Sequence, residues 1–411
     1  MQKILFIGLT FPESASTAAG IRMLQLIVFF KEQNCQITFA SVAQETEFTD
    51  VLSAMNVKKL SIRLNHPSFD EFVKKLQPEI VLFDRFITEE QFGWRVAEHC
   101  PNAVRILDTE DLHCLRFARQ EAFKSKTKFE LSQLNKLDIA KREIASIYRC
   151  DISLIISPFE YRLLINHFSI SSEILLELPF MFNRISKKEI EQNPSFEERK
   201  DFISIGNFKH EPNWQSVLYL KKSIWPLIKK QIPRAKLLVC GAYPTQKVFD
   251  LYNGSGGFIV KGRAEDAHKV ISESKILLAP LQFGAGLKGK LIDAMLTGTP
   301  SVTTSIGAEG MHGNLEWNGY IADKPDNFAK KAVELYQNKN LWQQAQQNGI
   351  IIINRMYSKK QWSEKLRKKI NVIQRNLEMH RTHNFMGSVL QHHTLQSTKY
   401  MSKWIEEKGK K

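Results

Sequence analysis

A strand-like run ends at Pro280, and the stretch after it carries the most chemistry in the 411-residue chain. It reads Leu281-Gln282-Phe283-Gly284-Ala285-Gly286-Leu287-Lys288-Gly289-Lys290-Leu291-Ile292-Asp293. Small residues let main-chain N–H groups approach an anion. A helix starting near Gly289 adds partial positive charge, and two lysines add whole charges. Gly286, Gly289, Lys288 and Lys290 therefore form a cradle suited to a diphosphate. A Walker A loop is excluded, because Leu291 follows Lys290 where Ser or Thr would stand. Asp293 lies one turn into the helix, where a carboxylate can accept hydrogen bonds from a ribose diol. The plainer role for Asp293 is helix N-terminal electrostatics, worth about 0.3–1 kcal/mol. A second candidate group is Asp108-Thr109-Glu110-Asp111-Leu112-His113, which follows another strand end. There His113 could hydrogen-bond a transferred group while Asp111 orients its imidazole; the alternative is a structural histidine.

These residues need a scaffold, and the apolar pattern supplies one. Ile4–Ile7, Gln36–Ala40, Ile80–Phe83, Val104–Leu107 and Ile152–Ile156 read as short buried strands separated by helical stretches. A polar, proline-containing segment from Arg184 to Pro194 interrupts the pattern. Alternation restarts with Phe202–Gly206, Lys236–Gly241, Gly257–Val260, Ile276–Ala279 and Ser301–Thr304. Strands alternating with helices imply parallel sheets covered on both faces. We expect a doubly wound α/β domain over 1–183, a linker at 184–200 and a second such domain over 201–357. A ligand then belongs in the cleft, at the carboxyl ends of the strands. From Ser358 the tail reads as a helix over 358–379. Trp362, Leu366, Ile370, Ile373 and Leu377 form one apolar stripe, suited to packing on the protein itself or to lying on a membrane. Residues 380–411 read as a basic tail with little pattern.

Composition narrows the class. With 43% hydrophobic and 25% charged residues the chain is neither disordered nor collagen-like, and no run reaches about 18 apolar residues. The apolar N-terminus reads as a first strand rather than a signal peptide. Five cysteines without a CxxC pair, and no Cys/His cluster of zinc spacing, point to reduced thiols in a cytosol. The net charge is +15, and residues 355–411, with 14 Lys/Arg against 4 Asp/Glu, hold +10 of it. Such a tail suits an anionic surface or is simply solvated. No nucleic-acid reader motif accompanies it, so nucleic acid is an unlikely partner.

The segment from Gly284 to Met295, continuing Leu296-Thr297-Gly298-Thr299-Pro300-Ser301-Val302-Thr303-Thr304-Ser305-Ile306-Gly307-Ala308-Glu309-Gly310, resembles the donor-site signature of group 1 (family 4) glycosyltransferases. Gly206–Trp214 and Pro233–Gly241 fit the earlier part of the same domain. The resemblance implies a GT-B architecture: two Rossmann-like domains facing a cleft, with a nucleotide-diphosphate sugar bound mainly by the second. It also implies transfer with retention, no bound metal and no cofactor. On its pattern Asp293 would hold the ribose, Arg263 would lie in the base-binding loop, and Gly20 and Arg22 would face the diphosphate from the first domain. Two departures stand out. Ala285 occupies a place where the family commonly has an acid, and Asn207 and Asn213 stand where it has an Arg and a Lys. The expected function is transfer of a hexose to a saccharide or lipid-linked acceptor in cell-envelope glycan synthesis, in the cytoplasm or at the inner face of a membrane. The alternatives are another GT-B activity, such as an epimerase or phosphorylase, and a degenerate nucleotide- or partner-binding protein.

Overall fold

The computed structural model describes residues 1–50, 52–392 and, beyond these, 397, 400, 401, 404, 405 and 408. The remainder of the expected basic tail lies outside the described residues.

Two all-parallel sheets are present. The first contains β1 (Lys3–Gly8), β2 (Gln36–Ser41), β3 (Lys58–Ser61), β4 (Ile80–Asp84), β5 (Val104–Asp108), β6 (Ile152–Ile155) and β7 (Leu175–Glu177), in the order β3-β2-β1-β4-β5-β6-β7. The second contains β8 (Lys200–Ile205), β9 (Leu237–Cys240), β10 (Phe258–Gly262), β11 (Ser274–Ala279), β12 (Ser301–Thr303) and β13 (Gly319–Ile321), in the order β10-β9-β8-β11-β12-β13. Both orders reverse direction beside their first strand. The switch points are therefore β1/β4 and β8/β11, the places where doubly wound sheets bind ligands.

The central strands read as unbroken apolar runs because helices cover both faces. Successive side chains point to opposite faces. Leu5 and Ile7 thus enter one core of the first domain, while Ile4 and Phe6 enter the other. In the second domain Ile276 and Leu278 are divided from Leu277 and Ala279 in the same way.

Seven helices carry the argument below: α1 (Ala18–Lys31), α2 (His113–Lys124), α3 (Pro158–Asn166), α4 (Gly289–Leu296), α5 (Lys359–Arg375), α6 (Leu377–His383) and α7 (Phe385–Gln391). The segment 184–200 joins the sheets and holds one short helix, Lys187–Glu191. The chain crosses between the domains twice at one place. There the Phe182 N–H donates to the Tyr357 carbonyl, and the Lys359 N–H donates to that of Phe182, each at 2.8 Å. The second crossing returns α5 to the first domain, where Leu366, Ile370 and Ile373 are buried in the core with Ile4 and Phe6. The apolar stripe of the tail is thus spent on the protein's own core.

One expectation is corrected. The start of the tail is not patternless: α6 and α7 dock on the first domain. Arg381 bonds both carboxylate oxygens of Asp151 (2.7 and 2.8 Å) and the Ala103 carbonyl (2.8 Å). Asn384 bonds the Tyr148 carbonyl at 2.7 Å. These partners are polar, so no apolar period announced the helices. All five cysteines are free and buried. Among the described residues no helix is long and apolar enough to cross a membrane.

Candidate active site

The lysine loop runs from the end of β11 into α4, at the second domain's switch point. Gly286 has φ +64°, and a Cβ there would lie 2.8 Å from the Asp111 Cβ. Glycine is needed both for the turn and for the close approach of the first domain. Gly289 begins α4, where a Cβ would come within 2.6 Å of the Ala18 Cβ. Ala18 begins α1. The two domains therefore bring two helix N-termini together, and their partial positive charges reinforce one another.

The two lysines sit differently. Lys288 is only 8% exposed, and its Nζ donates to the carbonyls of Gly286 (2.6 Å) and Ala285 (3.3 Å). Burial pushes its pKa down, while the Glu309 carboxylate pulls it back up. Lys290 extends toward β8 and donates to the Asn213 Oδ1 at 2.8 Å. Asn213 in turn donates to the Asn207 carbonyl at 2.9 Å. A Cβ on Gly206 would lie 2.7 Å from the Lys290 Nζ, so this glycine makes room for the ammonium. Burial pushes the Lys290 pKa down to about 7. Lys290 is thus a desolvated cation facing a neutral amide. An anion would restore its full charge.

Asp293 is within hydrogen-bond distance of the His268 Nε2 at 3.1 Å, a contact that raises the His268 pKa. Its side chain keeps 18% exposure, enough to meet a diol at the rim. Arg263 stacks on the Phe48 ring of the first domain, 3.8 Å from its centroid. Beside it the Tyr243 hydroxyl donates to the Glu13 carboxylate at 2.9 Å, a second contact across the cleft.

In the first domain the expected pair comes together without the expected geometry. The His113 Nε2 lies 3.6 Å from the Asp111 Oδ1, beyond hydrogen-bond distance, and has no partner. Arg116 takes both oxygens of Asp111 instead. Burial works to raise the Asp111 pKa, but Arg116 and His113 prevail and bring it to about 2. Desolvation lowers that of His113 to about 4, against the pull of Asp111, so its ring is neutral at pH 7. Asp111 is therefore held by Arg116 and does not orient the imidazole.

Arg22 and Gly20 also require correction. Arg22 is 1% exposed, pairs with Asp108 at 2.7 Å and donates to the Leu178 carbonyl at 2.6 Å. It is an internal tie of the first domain and is not free to meet a phosphate. A Cβ on Gly20 would strike the Glu13 main chain at 2.4 Å, so Gly20 packs on its own loop. The residue of α1 that faces the lysine loop is Ala18.

Sequence reasoning missed three residues. Arg119 on α2 spans the cleft: its guanidinium bonds both oxygens of Glu309 (2.7 and 2.8 Å) and the Gly284 carbonyl (2.8 Å). Glu160, on α3 and 1% exposed, accepts the Gly286 N–H at 2.7 Å. Glu309 lies within the Gly307–Gly310 segment already noted, but Arg119 and Glu160 carried no local signal. A glutamate in a first helical turn reads as an ordinary end effect. A cavity of about 260 Å³ adjoins this contact, lined by Phe123, Phe129, Thr127, Gln282, Phe283 and Ile306. Among the described residues no group of three or more His, Cys, Asp or Glu side chains is arranged to hold a metal ion.

Residues 199–338 match the family model for group 1 glycosyl transferases. Solved structures match over nearly the whole chain. A TarM variant from S. aureus, described as a complex with fondaparinux, α-GlcNAc-glycerol and UDP, superposes with a TM-score of 0.68 at 11% identity, covering 90% of this chain and 100% of that one. HepE from Anabaena, described as a complex with UDP and glucose, gives 0.64 at 12% identity with the same coverage. The chain has the GT-B fold, and its second domain is similar to group 1 glycosyl transferases. A curated relative, an uncharacterized 44.6 kDa protein in the cps region of Klebsiella pneumoniae, is 26% identical over 165 residues. That match spans 38% of this chain and 42% of the relative. The matched segment begins at the boundary of β8 and includes the whole lysine loop, so the family match and the cradle coincide.

Proposed function

We propose that this protein transfers a hexose from a nucleotide-diphosphate sugar to a saccharide or lipid-linked acceptor during synthesis of a cell-envelope glycan. The observation that carries the reading is Lys290: a buried ammonium at a helix N-terminus with only a neutral amide for company. As the anomeric bond breaks, negative charge builds on the leaving diphosphate. Lys288, Lys290 and the abutting helix ends would stabilise that charge. Asp293 would bind the ribose and Arg263 the side of the cleft nearest the base. No nucleophile stands ready in the first domain, and the neutral His113 suits a hydrogen bond to the sugar. That arrangement accords with front-face transfer with retention, assisted by the lysines without a metal. The cps-region relative supports an envelope role.

The acceptor would enter from the first domain. The cavity beside Arg119 has aromatic and aliphatic walls, two neutral polar side chains, and a guanidinium already neutralised by Glu309. It suits a neutral sugar ring. Membrane contact would fall to α6 and α7, where Phe385 is 73% exposed and Met379, Met386 and Val389 are also exposed, in the most basic part of the chain. We place the protein in the cytoplasm, peripheral to the membrane.

A thermal-shift panel of UDP, GDP, ADP and dTDP with their sugars, run beside Lys290→Ala, tests the reading. A ligand at about 100 times its Kd stabilises by about 2.7 kcal/mol. One nucleotide should shift the wild type and not the variant. No shift with any of them would refute a donor site at Lys290 and favour the degenerate binding protein, which the loss of an acid at Ala285 also favours.

A further inference from the structure

The lysine loop belongs to the second domain, yet the first domain holds its backbone. Two consecutive turns of it are gripped from across the cleft. The Gly284 carbonyl accepts from Arg119, and the Gly286 N–H donates to Glu160. Arg119 is fixed in turn by its paired bonds to Glu309 and by the Phe159 and Phe129 rings, 5.2 and 5.5 Å away. It is 7% exposed, so its bonds are sheltered from water. Arg119 and Glu160 direct these hydrogen bonds to residues 165 and 126 positions away, in the other domain. Between Gly284 and Gly286 lies the turn from which Lys288 and α4 take their direction.

We infer that Arg119, Glu309 and Glu160 form an interdomain clasp that closes the cleft and shapes the lysine loop, making Arg119 and Glu160 positioning residues for the transfer. The kinetic part of this inference rests on the proposed glycosyl transfer; the closure part does not. Glu160 can do this without placing a negative charge against the cradle. Burial, and after it Asp111, push its pKa up to about 8, so at neutral pH it is a carboxylic acid. Its carbonyl oxygen accepts the Gly286 N–H, and the field of the lysines is left for a ligand. The clasp and the lysines thus have separate tasks. The lysines attract the anion, and the clasp sets where they stand when the bond breaks.

The test uses the full chain with Arg119→Met, Glu309→Gln, the double variant, Glu160→Ala and Glu160→Gln. Small-angle X-ray scattering of the ligand-free proteins reads closure, calorimetry with a nucleoside diphosphate reads affinity, and donor turnover reads chemistry. Thermal unfolding checks that each variant is folded. The radius of gyration should rise in Arg119→Met and Glu160→Ala and stay at the wild-type value in Glu160→Gln, the isostere of the protonated acid. Turnover at saturating donor should fall about 10- to 100-fold in the opened variants, while nucleoside-diphosphate affinity stays within about threefold. The double variant should be no worse than Arg119→Met, because the two residues act as one unit. Scattering profiles unchanged in Arg119→Met and Glu160→Ala would overturn the clasp. So would an affinity loss equal to the turnover loss, or additive effects in the double variant. Variants that open, beside a wild type that neither binds nor turns over any donor, would refute the glycosyl-transfer reading and leave the clasp standing.

Discussion

At pH 7 the empty cleft holds Lys290 half deprotonated, because burial has brought its pKa from 10.5 to about 7. A diphosphate on the ammonium would remove that penalty and return the pKa toward its ordinary value. Binding would then take up a proton wherever the pH lies between the two values. Affinity is therefore complete below pH 7 and is lost as the pH rises above it, about tenfold per unit, until the pKa of the complex is passed. With full recovery, the loss between pH 7 and 9 is about 50-fold, or about 2.3 kcal/mol. Glu160, with its pKa pushed up to about 8, also titrates in this window, so every titration is run in the Glu160→Gln background. His113 is neutral throughout, with its pKa near 4, and a terminal phosphate with a second pKa of about 6 is already ionised. Titration calorimetry from pH 7 to 9, with the nucleotide that shifts in the thermal panel, measures the slope. Two buffers of different ionisation enthalpy at pH 8 measure the proton taken up, which should be close to one. Lys290→Arg should bind with a flat profile, since a guanidinium stays charged over the window. An affinity that is flat from pH 7 to 9 with Lys290 in place would refute the account of Lys290 as the anion's main cation. So would the same slope surviving in Lys290→Met.

Four further outcomes follow from other residues. Asp293→Ala should weaken nucleoside-diphosphate binding about tenfold, as expected for a hydrogen bond to a charged group, and should erase the preference for ribose over 2′-deoxyribose in competition titrations. Equal loss for both sugars would remove Asp293 from the ribose. Gly286→Ala places a Cβ in a left-handed position 2.8 Å from the Asp111 Cβ. It should lower turnover and raise the radius of gyration together, which activity and scattering on one sample can check. Arg381→Ala should cost about 1–3 kcal/mol in chemical denaturation, because buried Asp151 loses its two short bonds and keeps only the more distant Arg105 at 3.8 Å. Phe385→Ser with Met386→Ser should leave that stability unchanged while reducing sedimentation with anionic liposomes; unchanged sedimentation would detach α7 from the membrane proposal.

What could be read from the sequence follows the physics of burial. The ten strands expected from apolar runs are all present. The three that were missed, β3, β7 and β13, are edge strands. An edge strand has a neighbour on one side only and stands at the margin of the helical layers. Lys58-Lys59-Leu60-Ser61 is accordingly half exposed and carries no apolar run to announce it. The same logic divides the site. Gly286, Lys288, Gly289 and Lys290 lie within five residues of the chain, and a single loop and helix start dictate their arrangement. Arg22 was misread because its partner, Asp108, lies 86 residues away. A basic residue near a helix start looks solvated until the strand beside it is known.

The clasp is the extreme case of this limit, and it bears on Ala285. That residue packs its methyl group against the core of the first domain. Glu160 lies in the same contact, bonded to the next residue of the loop. A longer acidic side chain at 285 would have to displace the surface that now carries Glu160, so the small residue and the gripping glutamate fit each other across the cleft. Ala285→Glu alone should therefore open the cleft in scattering and lower turnover. Combining it with Glu160→Gln, which alone stays closed, should not restore closure, because the space is still filled. If the single variant stays closed, Ala285 is merely an unused position, and the fit between the two domains must be sought in Arg119 and Glu309 alone.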